Sequence, residues 1–201
     1  LYSASSNLFS ESGLNLDQKG IWEDLGDIEF AGQVAVENFK KIKTFVKDVL
    51  VSDQKLVSLG GDHSVSWPIL DAHLDKWDAL DILHIDAHPD LYDSLLGNKL
   101  SHASPFARIM ETGRASRLVQ VGIRTLNKHQ REQAEKFGVE IYQMKDLTKL
   151  NSLSFSKPVY CSIDIDALDP AYAPGVSHFE PGGLSTRQLI DCLNGFKGQL
   201  I

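Results

Sequence analysis

No apolar run in the 201 residues approaches the roughly 20 that a helix needs to cross a bilayer, so no membrane partner is expected. The first residues also lack a basic stretch followed by an apolar one, so no secretory signal is expected. Cysteine is scarce, with 2 in the chain, which excludes a scaffold stapled by disulfides. Cys161 and Cys192 lie in apolar surroundings and read as buried free thiols in a reducing compartment. That compartment is the cytoplasm by default, or an organellar matrix after removal of a targeting segment. Positive charge is short as well. Lys and Arg total 20 against 27 Asp and Glu, a net charge of −7. A nucleic-acid partner needs a basic patch to meet its phosphates, so none is expected. No internal repeat, heptad pattern or low-complexity tract is present.

What remains is ordinary for a globular protein: 42% hydrophobic and 23% charged residues. The length suits one domain with a sizeable core. The chain opens on polar and small residues that read as a strand, and Asp24-Leu25-Gly26-Asp27 reads as a surface turn. Apolar residues at Val34, Phe39, Ile42, Phe45, Val46, Val49 and Leu50 predict an amphipathic helix from Val34 to Val51. A strand is expected at Lys55–Leu59, then a helix from about Ser64 to Leu74. Further strands are expected at Asp81–Ile85, Leu118–Gly122, Val139–Tyr142 and Pro158–Ile163, and a new one starts at Gln199. Helices are expected near Ala103–Thr112, Lys128–Phe137 and Ser185–Phe196. Short apolar strands alternating with helices predict an α/β fold, a mostly parallel sheet covered on both faces. Ligands of such sheets bind beyond the carboxyl ends of the strands.

Three segments place charged side chains there. Leu56-Val57-Ser58-Leu59 leads to Gly60-Gly61-Asp62-His63. Ile82-Leu83-His84-Ile85 leads to Asp86-Ala87-His88-Pro89-Asp90. Val159-Tyr160-Cys161-Ser162-Ile163 leads to Asp164-Ile165-Asp166. Alternate residues of a strand point the same way, so each group can converge on one point. Bare carboxylates at the mouth of a buried sheet repel one another and lose hydration. Divalent cations are the usual remedy. His63, Asp86, His88, Asp90, Asp164 and Asp166 are too many ligands for one zinc, and too rich in oxygen. They suit one or two ions such as Mn²⁺.

The segments Gly60-Gly61-Asp62-His63-Ser64, Asp86-Ala87-His88-Pro89-Asp90 and Ser162-Ile163-Asp164-Ile165-Asp166-Ala167-Leu168-Asp169-Pro170 resemble the three signatures of the ureohydrolases, the arginases and agmatinases. They occur in that family's order, from about Lys55 onward. The resemblance implies a single ureohydrolase domain over 1–201, with the three-layer αβα fold shared by arginases and deacetylases and shorter at both ends than the family. It implies two Mn²⁺ per chain. His63, Asp86, Asp90 and Asp164 would hold one, and Asp86, His88, Asp164 and Asp166 the other. It also implies hydrolysis of a small guanidino substrate to urea and an amine. His102 is the expected proton shuttle, with Asp90 counted beside it in the catalytic set. Histidine suits a shuttle because its pKa lies near neutrality. The family's guanidinium-binding glutamate would lie beyond Ile201. A trimer or hexamer is implied in the same way.

Substrate choice rests on thinner ground. Tyr92 stands where animal arginases hold a polar residue for the α-carboxylate. Asn127 stands where they carry an acidic residue for the α-amino group. Both departures lean toward plant-type arginases, so L-arginine is expected first and agmatine second. Two other readings compete. One is a zinc deacetylase of the same fold, which would use fewer carboxylates. The other is a non-catalytic metal-binding relative. Asp62 is expected to cap a helix and Asp169 to shape a turn. His84 is expected to be a packed core residue, and His73 and His129 surface helix residues. His178 and Glu180 are expected mainly to shape a loop between Pro174-Gly175 and Pro181-Gly182-Gly183.

Overall fold

A computed structural model describes residues 7–30, 32, 34–52, 54–147 and 153–201. It divides into two compact units, Leu1–Ala31 and Gly32–Ile201. The strand expected at the very start lies outside the described residues. Within the first unit, Phe9 and Asn15 form an isolated antiparallel bridge, and the Trp22 indole donates to the Leu16 carbonyl at 2.7 Å. The turn at Asp24 forms as expected: its Oδ1 accepts from Gly26 N at 2.9 Å.

The second unit holds helix α1 (Ala35–Val49), α2 (Ser66–Lys76), strand β1 (Leu80–Ile85), α3 (Pro105–Glu111), β2 (Ala115–Ile123), α4 (Lys128–Phe137), β3 (Glu140–Gln143), β4 (Pro158–Ile163), α5 (Thr186–Asn194) and β5 (Gln199–Leu200). The strands lie in the order β3-β2-β1-β4-β5, and every pairing is parallel. All six residues of β1 are buried, as expected of a strand covered on both faces. Leu80 and Ile82 join Leu118, Leu70 and Phe106 in one core. Leu83 and Ile85 join Val119, Val159 and Leu189 in the other. The layers are thus α2, α3 and α4 on one face and α5 on the other. Each of these fully buried Leu, Ile or Phe side chains contributes roughly 1.5–3 kcal/mol relative to exposure. Pro105 opens α3, where a missing N–H costs nothing. A capping box closes the start of α5: Ser185 Oγ accepts from Gln188 N at 3.2 Å, and the Gln188 side chain accepts from Ser185 N at 2.8 Å.

Two expectations fail. Lys55–Leu59 is not a strand, and Val57 and Leu59 are 82% and 87% exposed. A strand needs a free row of N–H and C=O groups beside it. β1 is already paired on both sides, and β5 offers an edge of only 2 residues. His73 is not a surface residue but 1% exposed. Its helix packs on two sides. Lys43 of α1 reaches Asp71 and Asp75 of α2 at 2.6 and 3.0 Å, while Leu70 and Leu74 enter the sheet core. Such a helix has little solvent face to spare. Cys161 and Cys192 are free and half-buried, in line with expectation. Burial, with Cys192 nearby, pushes the Cys161 thiol up to about 12, so it behaves as a packing group.

Candidate metal centre

Three loops bring their charged groups to the carboxyl ends of β1 and β4. His63 begins a short 3₁₀ turn, His63–Val65. Asp62 caps that turn, its Oδ1 accepting from Ser64 N at 3.0 Å, which is the capping role expected of it. β1 ends at Ile85, and Asp86 to Asp90 form a loop beyond it. Asp90 has φ 49°, a left-handed backbone that turns its carboxylate back toward His63. β4 ends at Ile163, and Asp164 caps a second 3₁₀ turn, Ile165–Ala167. Asp164 and Asp166 therefore converge through a turn, not through strand alternation. Asp164 Oδ1 accepts from Asp166 N at 2.9 Å.

The result is two adjoining clusters. His63 Nδ1 lies 2.9 Å from Asp90 Oδ2, 3.1 Å from Asp86 Oδ2 and 3.4 Å from Asp164 Oδ2. His88 Nδ1 lies 3.1 Å from Asp166 Oδ2 and 3.5 Å from Asp86 Oδ1. Asp86 is thus divided between them, one oxygen to each imidazole. All six expected ligands come together.

Burial disfavours charge on His63, but the Asp86 and Asp90 carboxylates outweigh it and raise the imidazole to about 10. Burial opposes charge on His88 too, and Asp166 and Asp86 raise it to about 11. Burial, together with the charge of Asp86, pushes Asp90 up to about 7 despite the nearby His63. Burial and Asp86 also raise Asp164. The shifts share one cause, carboxylates and imidazoles crowded together away from water. His63 Nδ1 gives the fit test. It is buried, surrounded by three carboxylate oxygens, and makes an aligned hydrogen bond with none of them. A ring nitrogen aimed between carboxylates is the donor set of a cation site. The residues present fit divalent metal.

Backbone approach supports the loops. Gly122 has φ 92°, and a Cβ there would stand 3.0 Å from the Asp86 carbonyl oxygen. At Gly183 a Cβ would meet Asp169 N at 2.5 Å. Asp169 shapes its turn as expected, its Oδ2 accepting from Gly182 N at 2.7 Å. Arg124 donates to the backbone carbonyls of Asp166 (2.7 Å), Ala167 (3.2 Å), Leu168 (3.3 Å) and Glu180 (2.7 Å), pinning the 166–180 loop under the site.

A sequence model of the arginase family matches residues 2–201. Arginase 1, mitochondrial, of Oryza sativa is 46% identical over 215 residues, covering 100% of this chain and 63% of that protein. This chain belongs to the arginase family. An agmatinase of Bacillus cereus is 36% identical over 173 residues, covering 85% of this chain and 60% of the relative. The solved arginase from Medicago truncatula superposes with a TM-score of 0.89 at 42% identity, over 98% of this chain and 68% of that one. The chain spans 63% of the length of the rice relative.

His102 is half-buried, and its ring lies 6.2 Å from that of His178. His178 in turn meets the His88 ring edge-on at 5.6 Å. Glu180 Oε1 stands 3.6 Å from His88 Nε2. His178 and Glu180 thus border the centre, beyond the loop-shaping role expected of them. The Pro-Gly pairs around them were the only signal. The Asn127 amide donates to the Tyr92 hydroxyl, and Asn127 Oδ1 also caps α4 through Gln130 N at 2.9 Å. The two candidate substrate contacts therefore hold each other. His129 is not a plain surface residue: it stacks on Tyr92 at 5.4 Å. His84 is packed, as expected, against Phe106 at 3.8 Å, but its Nε2 also meets Asp86 Oδ2 at 2.7 Å.

Proposed function

We propose that this chain carries the binuclear manganese centre of a ureohydrolase that cleaves L-arginine to L-ornithine and urea. The single observation that carries this reading is the division of Asp86 between two imidazole-carboxylate clusters. One cluster is His63 with Asp90 and Asp164, the other His88 with Asp166. His63, Asp86, Asp90 and Asp164 would hold one Mn²⁺, and Asp86, His88, Asp164 and Asp166 the other. When bound, such ions would supply a water acidified toward neutrality as the nucleophile.

The chain's own residues supply the rest. The carboxylates hold the cluster's charge balance, and Asp90 does so from the His63 side. Water adds to the guanidinium carbon, the bond to the substrate amine breaks, and the amine nitrogen takes a proton. His102 delivers that proton. Its place beside His178, which touches His88, supports the role. Tyr92 and Asn127 form a joined pair that would meet the far end of the substrate. The name of the rice relative favours arginine and, for location, the organellar alternative over the cytoplasm. The agmatinase likeness keeps agmatine as the second reading. Among the described residues no helix is long and apolar enough to cross a membrane. Assembly into a homotrimer or homohexamer is part of the same proposal.

The test is urea release by the full-length protein loaded with Mn²⁺ and given L-arginine or agmatine in parallel. Urea from arginine alone is the expected result. Urea from agmatine alone would move the assignment to the second reading. One metal per chain and no urea from either would favour a deacetylase-like enzyme, and two metals without urea the non-catalytic relative.

A further inference from the structure

Gln120 lies on β2, in register with His84 of β1, and both side chains are fully buried. Gln120 Nε2 stands 2.6 Å from the Pro89 carbonyl oxygen and 3.0 Å from His84 Nδ1. A carbonyl only accepts, so the atom facing Pro89 is the amide nitrogen. The second hydrogen of the same NH₂ group then points at His84 Nδ1, which must present its lone pair. His84 is therefore protonated on Nε2, and that N–H donates to Asp86 Oδ2 at 2.7 Å. The ring stacks on Phe106 at 3.8 Å, and turning it over would forfeit both of these hydrogen bonds. The other Asp86 oxygen accepts from His88 N at 2.6 Å. Both carboxylate oxygens are thus oriented from behind, with their remaining lone pairs toward His63 and His88.

Gln120 also carries a cost. Its Oε1 is buried without a hydrogen-bond partner among the described residues, which disfavours the amide there on packing grounds alone. We propose that Gln120 is the positioning residue of the metal centre. Through one amide it anchors Pro89, between the ligands His88 and Asp90, and fixes the tautomer by which His84 orients Asp86. His84 is then a donor and not a ligand, although it stands with His63 and Asp86 in a group able to hold an ion. The inference rests on the reading of Asp86 as a metal ligand.

The test combines imidazole ¹⁵N NMR with Mn²⁺ titration of the full-length protein. In the metal-free wild type, His84 should show the Nε2–H tautomer. Gln120→Met keeps length and removes the amide. It should bind Mn²⁺ about 10–100-fold more weakly while remaining folded in the metal-free state. Should Gln120→Met fail to fold, Gln120→Glu serves. A neutral carboxyl can donate to Pro89 or to His84 but not to both, so Mn²⁺ affinity should again fall. A wild-type His84 protonated on Nδ1, or a folded variant binding Mn²⁺ within about twofold of wild type, would overturn the proposal. A wild type that takes up no Mn²⁺ would instead sink the metal reading, and the tautomer result would still stand on its own.

Discussion

Two histidines of this chain are equally buried and differently wired. His73, on α2, donates its Nδ1–H to the Ile69 carbonyl at 2.9 Å, and its Nε2 has no hydrogen-bond partner among the described residues. Its ring stacks on Trp77 at 5.5 Å and meets Tyr160 edge-on at 5.1 Å. His84, on β1, has both nitrogens engaged, by Gln120 and by Asp86. Burial lowers the pKa of both, and only at His84 does a carboxylate pull against it. Burial alone thus says little about role. One region spends a histidine on packing, and the other uses it to aim a carboxylate at a cation site.

The contrast predicts where damage should fall. The largest loss is expected from Asp86→Ala, because Asp86 serves both clusters. Metal analysis should find both ions gone, and urea production should drop by about 10³-fold or more, the equivalent of roughly 4 kcal/mol. Two ions retained in that variant would break the account. His102→Ala should come next, cutting turnover by about 10²–10⁴-fold with metal content unchanged. A steady kcat would remove His102 from the shuttle role. Gly122→Ala tests backbone approach, since its φ of 92° and the nearby Asp86 carbonyl both oppose a side chain. A loss of about 1–3 kcal/mol in chemical denaturation is expected, with weaker Mn²⁺ binding.

The packing side should respond to pH and not to catalysis. Burial holds the His73 pKa below its ordinary 6.5. As pH falls through 6.5 the unfolded chain takes up a proton first. The His73 contribution is therefore complete above 6.5 and is lost as pH falls toward the folded value. His73→Leu should remove that component, flattening the loss by at most about 1.4 kcal/mol per pH unit in metal-free denaturation curves, and leave turnover unchanged. A variant as acid-sensitive as wild type would place the titration elsewhere.

Five of the six convergent ligands were legible because Asp86, His88, Asp90, Asp164 and Asp166 follow the buried strands β1 and β4, whereas His63 follows no strand and was legible only through its Gly60-Gly61-Asp62-His63 segment. Parallel pairing was legible for the same reason: the strands are short, apolar and separated by helices. Lys55–Leu59 misled because apolar content does not supply a partner edge. His73 misled because α2 is covered on two sides, so its polar residues do not mark a solvent face. Gln120 and Arg124 gave no local signal, and His178 gave only the Pro-Gly pairs that flank it. Their roles depend on register across β1 and β2, on contacts with four carbonyls of distant turns, and on ring contacts between loops.

The most direct measurement is anomalous scattering from crystals of the full-length protein grown with Mn²⁺. Two peaks per chain are predicted, one at ligating distance from His63 Nδ1 and one from His88 Nδ1, with Asp86 between them. A single peak, or a peak seated on His84 Nε2, would contradict the account.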